Sequence, residues 1–182
     1  MPAKNEDLHG MVPDKSSVVL LLIDLINQFD FPEGEVLLEQ TRPVARNVAE
    51  LKERAREAGV SCIYVNDNFG RWRSDFRVLL DHVLDKDSRG HIIARQLVPE
   101  ADDYFVIKPK HSAFYSTTLD TLLDYLGAKT LILTGVAGNI CVLFSANDAF
   151  LRDYNILVPQ DCCASNTPEE NEHALRQVDE HP

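Results

Sequence analysis

The chain has 182 residues, 45% of them hydrophobic, enough for a substantial core in one ordinary domain spanning residues 1–182. Its 18 basic and 29 acidic residues leave a formal charge of −11. That balance argues against nucleic acid and anionic membrane as partners, while a small-molecule substrate held by a few local cations stays open.

Residues 1–17 are polar and hold no long apolar run, so neither a secretory signal nor a transmembrane helix is expected. A continuous apolar run over 18–23 ends at Asp24 and reads as a strand buried on both faces, the style of a parallel sheet. Residues 27–35, with Pro32 and Gly34, read as a loop. The spacing of Val44, Val48, Leu51 and Ala55 predicts a helix over 41–58, with Pro43 in its first turn and Gly59 as its stop. Residues 60–65 are a second strand, and Phe76, Leu79, Leu80, Val83 and Leu84 form another helical stripe.

Residues 85–100 are less regular, and 104–107 form a short third strand. A helix over 117–126 is expected, with Thr117 and Asp120 spaced as a capping box and Gly127 as its stop. A fourth strand over 130–136, a helix over 140–152 and a fifth strand over 155–158 follow. Thr167-Pro168-Glu169-Glu170 opens a last helix with cap, proline and acid in the preferred order. This alternation predicts a three-layer α/β/α domain, Rossmann-like in its layering, around a mainly parallel sheet of five or six strands. No glycine-rich fingerprint follows the first strand, which argues against a dinucleotide site.

In such folds ligands bind beyond the carboxyl ends of the strands. Asp24, Asp67, Lys108 and the segment leading to Cys141 all fall there. A lone aspartate at a strand end is most often a cap or turn residue, but a partly buried one gains proton affinity and can act as a general base. Lys108 and Lys110 point to the same side of an extended segment, and periodicity does not choose between them. Cys141 follows a strand and a small-residue turn. Asn139 would cap the helix there, placing the thiol at its positive end, where thiolate is favoured. Gly135, Ala137 and Gly138 would give the backbone room to approach a ligand. The other cysteines, Cys62, Cys162 and Cys163, have neither zinc-ribbon spacing nor the pattern of a disulfide framework; Cys62 reads as core and the other two as flanking a turn, so a reducing cytoplasm is expected.

Three motifs together resemble the isochorismatase-like cysteine hydrolases, a family that includes nicotinamidases, N-carbamoylsarcosine amidases and ureidoacrylate amidases. The resemblance rests on Leu22-Ile23-Asp24 with Phe29 five residues on, on Lys108-Pro109-Lys110-His111-Ser112-Ala113-Phe114, and on Gly135-Val136-Ala137-Gly138-Asn139-Ile140-Cys141-Val142. Asn147-Asp148-Ala149 and Asp161 fit as well. It implies a triad of Asp24, Lys108 and Cys141, with Lys108 chosen over Lys110 by its spacing from the Ser-Ala-Phe motif. It also implies a cis peptide at Val136–Ala137 and an oxyanion hole made by the N–H groups of Ala137 and Cys141. The implied reaction is hydrolysis of a carbon–nitrogen bond in a small amide, carbamoyl or ureido compound. In that reading Asp24 takes the thiol proton, the thiolate attacks the carbonyl, Asp24 returns the proton to the leaving amine, and water activated by Asp24 cleaves the thioester. Lys108 would lower the thiol pKa by its charge. A dimer or tetramer is expected by the same resemblance.

The chain departs from the family pattern at Ile26, Gln28 and Gly138, where many members carry Gln, Asp and Thr. Asp67 is followed by Asn68, Phe69, Gly70, Arg71, Trp72 and Arg73, with none of the histidines of a nicotinamidase metal site, so no metal and no cofactor is expected. Trp72 and Arg73, with Arg71, read either as a surface loop or as a pocket's aromatic wall and carboxylate clamp; Phe29 and Phe114 are expected to line the same cavity. His111 reads as structural or as a subunit contact. Two other readings remain: a vinyl-ether hydrolase for an isochorismate-like acid, and a non-catalytic or redox-responsive binding protein on the same fold.

Overall fold

The computed structural model describes residues 15–70 and 75–180. Six strands build one sheet: β1 (Val18–Ile23), β2 (Ser61–Asp67), β3 (Tyr104–Lys108), β4 (Thr130–Val136), β5 (Asn155–Leu157) and β6 (Cys163–Ala164). Their order is β3-β2-β1-β4-β5, with β6 also pairing β4, and every pairing is parallel. The chain steps outward from β1 through β2 to β3, then returns to lay β4 on the other side of β1. The carboxyl ends of β1 and β4 therefore flank the point where strand order reverses, where such sheets open a crevice.

Val19 to Ile23 are wholly buried, and alternate residues feed opposite faces of the sheet. Leu20 and Leu22 pack with α1 (Gly34–Glu57), α2 (Phe76–Val83) and α3 (His91–Ala94). Val19, Leu21 and Ile23 pack with α4 (Leu119–Leu126) and α5 (Leu143–Phe150). This explains why β1 reads as an unbroken apolar run: it has no solvent face. A last helix, α6 (Pro168–Glu180), opens as its sequence predicts, the Thr167 hydroxyl accepting the Glu170 N–H at 3.2 Å.

Several boundaries differ from expectation. Helix α1 begins at Gly34 rather than Thr41, because Leu37, Leu38 and Thr41 continue its buried stripe upstream. Pro43 is thus inside the helix, not in its first turn. The Thr117–Asp120 capping box does not form. Thr118 flanks α4 without a side-chain cap bond, while the Thr117 hydroxyl donates to the Ala113 carbonyl at 2.6 Å and accepts the Leu119 N–H at 3.2 Å. Cys163 lies on β6, and Cys162 in the 3-10 turn before it, so these cysteines belong to a strand and its lead-in.

Gly135 has φ 122°, and a Cβ there would lie 2.0 Å from the Ile23 carbonyl oxygen. The expected room for a ligand is taken by the neighbouring strand. Gly135→Ala should destabilise the protein by about 2–3 kcal/mol. Gly59→Ala, left-handed but in open space, should cost about 1 kcal/mol. Urea denaturation of both variants checks the ranking; equal losses would contradict the packing account.

Candidate active site

Asp24 follows β1 directly. Its backbone is left-handed, φ 53°, a conformation that costs a non-glycine residue energy and must be held by its surroundings. Its N–H donates to the Val65 carbonyl at 2.9 Å. The carboxylate, 6% exposed, then turns inward: Oδ1 accepts the Asp67 N–H at 2.7 Å, and Oδ2 lies 2.8 Å from Lys108 Nζ.

Lys108 ends β3 opposite Asp67 in the register, and its side chain is fully buried. Its ammonium is surrounded. Besides Asp24, it donates to the Lys110 carbonyl at 3.2 Å and to Cys141 Sγ at 3.6 Å, and Asp67 Oδ2 lies at 3.5 Å. Lys108 is thus the lysine that meets the thiol, and Lys110 contributes its backbone.

Cys141 sits in a π-helical turn, Gly138–Val142, that follows a cis Val136–Ala137 peptide and runs into α5. The residue flanking this turn is Ala137, not Asn139. The Ala137 carbonyl accepts the N–H groups of Ile140 and Val142 at 3.1 and 3.2 Å. The Asn139 N–H donates to Ser165 Oγ at 3.0 Å, and Ser165 in turn donates to Asn171 Oδ1 at 3.1 Å. A Cβ on Gly138 would lie 2.2 Å from that Asn171 oxygen. The small residue at 138 therefore makes room for α6 rather than for a ligand. On the other side of the turn, Ser145 Oγ donates to the Cys141 carbonyl at 2.6 Å and accepts the Ala113 N–H at 2.9 Å.

The electrostatics reverse one expectation. The Cys141 thiol is pushed up, first by burial and next by the Asp24 carboxylate; the pull of Lys108 is too weak to offset them. A thiolate beside Asp24 would add a negative charge to a site where one ammonium already faces the Asp24 and Asp67 carboxylates, so the proton is favoured on sulfur. Burial also raises Asp24 against the opposing pull of Lys108. Burial alone would lower Lys108, but Asp24, Cys141 and Asp67 together raise it. The resting arrangement is a charged Lys108–Asp24 pair beside a neutral thiol.

The aromatic expectations fare differently. Phe29 is wholly buried in the core under α1, and Phe114 is buried in the separate core on the other side, its ring 4.7 Å from the Arg152 guanidinium and 6.2 Å from the Tyr154 ring. They do not line one cavity, because each fills its own layer. Arg71, Trp72 and Arg73 lie outside the described residues. His111, read as structural or as a subunit contact, places Nδ1 3.9 Å from Cys141 Sγ. Its one sequence signal was a place between two motif segments, Lys108 and Ser112-Ala113-Phe114. Asp67, noted for its strand end and for lacking the histidines of a metal site, holds both partners of the ion pair.

Among the described residues no group of three or more His, Cys, Asp or Glu side chains is placed to hold a metal ion, and no helix is long and apolar enough to cross a membrane. A groove of about 1100 Å³ runs between α5, β5 and α6, lined by Tyr154, Leu157, Glu172 and Arg176 among others, and none of Asp24, Lys108 and Cys141 lines it.

A family model described as Isochorismatase domain matches residues 18–181. The isochorismatase family protein YaaI of Bacillus subtilis is 45% identical, the alignment covering 91% of this chain and 90% of that protein. A ureidoacrylate amidohydrolase, RutB of Methylorubrum extorquens, is 26% identical, covering 98% of this chain and 82% of the relative. The crystal structure of N-carbamoylsarcosine amidase from Thermoplasma acidophilum superposes with a TM-score of 0.61 at 27% identity, covering 90% and 93% of the two chains.

Alkylation of Cys141 by iodoacetamide, followed peptide by peptide, should still be rising with pH above about 8.5, the midpoint of an ordinary thiol. Asp24→Asn removes a negative neighbour, favours the thiolate and should move that midpoint down. A wild-type midpoint below the ordinary value would contradict the site's charge balance.

Proposed function

The chain belongs to the isochorismatase family, and from that premise we propose that it is a cysteine-dependent amidohydrolase cleaving a small amide, carbamoyl or ureido compound through a thioester on Cys141. The observation that carries this reading is one thiol beside a buried carboxylate and a buried ammonium. Relatives support the class of bond: RutB is named for ureidoacrylate hydrolysis and the Thermoplasma structure for N-carbamoylsarcosine.

Because the thiol rests protonated, attack and proton transfer go together. Asp24 takes the Sγ proton as sulfur adds to the carbonyl carbon; a raised proton affinity suits a carboxylate to that task. Lys108 keeps its charge throughout. It balances the carboxylate before the transfer and any negative charge on sulfur during it. The N–H groups of Ala137 and Cys141 are the proposed donors to the carbonyl oxygen as it gains charge. Collapse expels the amine, leaves a thioester on Cys141, and water completes the hydrolysis.

A screen for ammonia release over small amides, carbamoyl compounds and ureido acids should find a substrate. Cys141→Ala should lower kcat on it by at least about 10³-fold while leaving thermal stability nearly unchanged. Ammonia release that survives loss of Cys141 but not of Asp24 would sink the thioester and leave direct attack by an Asp24-activated water.

A further inference from the structure

The Cys141 thiol has two unlike sides. On the buried side stand Asp24 and Lys108. On the open side stands the imidazole of exposed His111, with Nδ1 3.9 Å from Sγ and its ring centroid 5.8 Å from that of half-exposed Phe144. A carbonyl compound reaching sulfur from solvent shares this space with His111. The carbon that sulfur attacks lies one bond from it, so the nitrogen on that carbon comes within reach of Nδ1.

Asp24 is committed to the thiol from its buried side. Its Oδ1 is held by the Asp67 N–H and its Oδ2 by the Lys108 ammonium, and the residue is 5% exposed. Both oxygens are engaged within the protein, and the carboxylate also bonds the Cys141 thiol from its buried side. His111 is free of such ties, yet its backbone is well held. The next residues pin the loop: Ser112 Oγ donates to Asp148, the Phe114 N–H donates back to Ser112 Oγ at 3.1 Å, and the Ala113 N–H donates to Ser145 Oγ. Ser145 also holds the Cys141 carbonyl, so the imidazole and the thiol are referred to one serine.

We propose that His111 is a further catalytic residue, which protonates the leaving nitrogen and then takes a proton from the hydrolytic water. The proposal rests on the thioester reading above. The protons balance without any other group. Asp24 accepts the thiol proton and the S–C bond forms. The C–N bond breaks as imidazolium Nδ1–H passes its proton to nitrogen, so the amine departs neutral. The neutral imidazole then takes a proton from water as its oxygen adds to the thioester carbon. The C–S bond breaks, Asp24 returns its proton to sulfur, and a carboxylic acid leaves. Each proton is moved by the group on its own side of the thiol, and Asp24 keeps one through the whole thioester stage.

The test uses p-nitrophenyl acetate, whose leaving group departs without a proton. It separates formation of the acetyl-thioester, seen as a burst of nitrophenolate, from its hydrolysis, seen as the lifetime of the acetyl adduct on Cys141 by mass spectrometry. In His111→Asn the burst should keep its amplitude and stay within about 3-fold of the wild-type rate. The adduct should live about 10²-fold longer, the lower end of what a general base contributes. His111→Gln guards against a packing artefact and should behave the same way. An unchanged adduct lifetime in both variants would overturn the proposal, and so would a burst rate and a hydrolysis rate that fall in parallel. Failure of the thioester reading has a different signature: a wild-type protein that gives no adduct on Cys141, or a Cys141→Ala variant that keeps the burst.

Discussion

The buried contact between Lys108 and Asp24, 2.8 Å long, is the constraint on which the rest of the site depends. Two full charges removed from water are costly, and they persist only where attraction and extra hydrogen bonds offset the loss of solvent. The fold supplies those bonds from the ends of three strands. Asp67 of β2 gives its N–H to Asp24 and its carboxylate to Lys108, and the Lys110 carbonyl takes another ammonium proton. The register that sets Asp67 beside Lys108 and the left-handed turn at Asp24 thus serve the same pair. Cys141 enters from a fourth strand end, at the crevice where the sheet order reverses.

The pair also decides how the thiol behaves. A helix start and a lysine at 3.6 Å both favour thiolate, yet burial and the Asp24 carboxylate outweigh them. The site therefore stores no free nucleophile. It stores a thiol, a carboxylate that binds a proton readily, and a cation that makes either charge tolerable. In the proposed reaction such an arrangement moves a proton only when a substrate carbonyl is present to receive sulfur. With exposed His111 on one side of the thiol and the buried pair on the other, the proposed reaction makes its nucleophile on the buried side and handles leaving group and water on the His111 side.

Much of the frame was legible in the sequence because the sheet's centre is apolar on both faces: the bounds of β1 and β4 follow from runs with no polar face to interrupt them. The strand ends then gathered Asp24, Asp67, Lys108 and the segment leading to Cys141, and the motif resemblance singled out Asp24, Lys108 and Cys141. What was not legible was set by contacts distant in the chain. Gly34 starts α1 although the local residues read as a loop, because the buried stripe beneath it is tertiary. Asn139 has the chemistry of a cap, but Ser165 takes its N–H and the helical turn opens two residues earlier, at Gly138. Strand β6 is two residues long, too short to leave a period. Phe29 and Phe114 accompany reactive motifs and yet fill two different layers. His111 meets the thiol only because the loop after β3 folds back onto α5, a fact with no local signature.

The most direct test of the central claim is a double-mutant cycle on unfolding free energy with Asp24→Asn and Lys108→Met. Each single change leaves one charge buried without its partner and should cost about 3–5 kcal/mol. The double variant removes both charges, so its loss should fall short of the sum by at least about 2 kcal/mol. Losses that add within about 0.5 kcal/mol would show that Asp24 and Lys108 are not coupled, and the account of the site would fail with them.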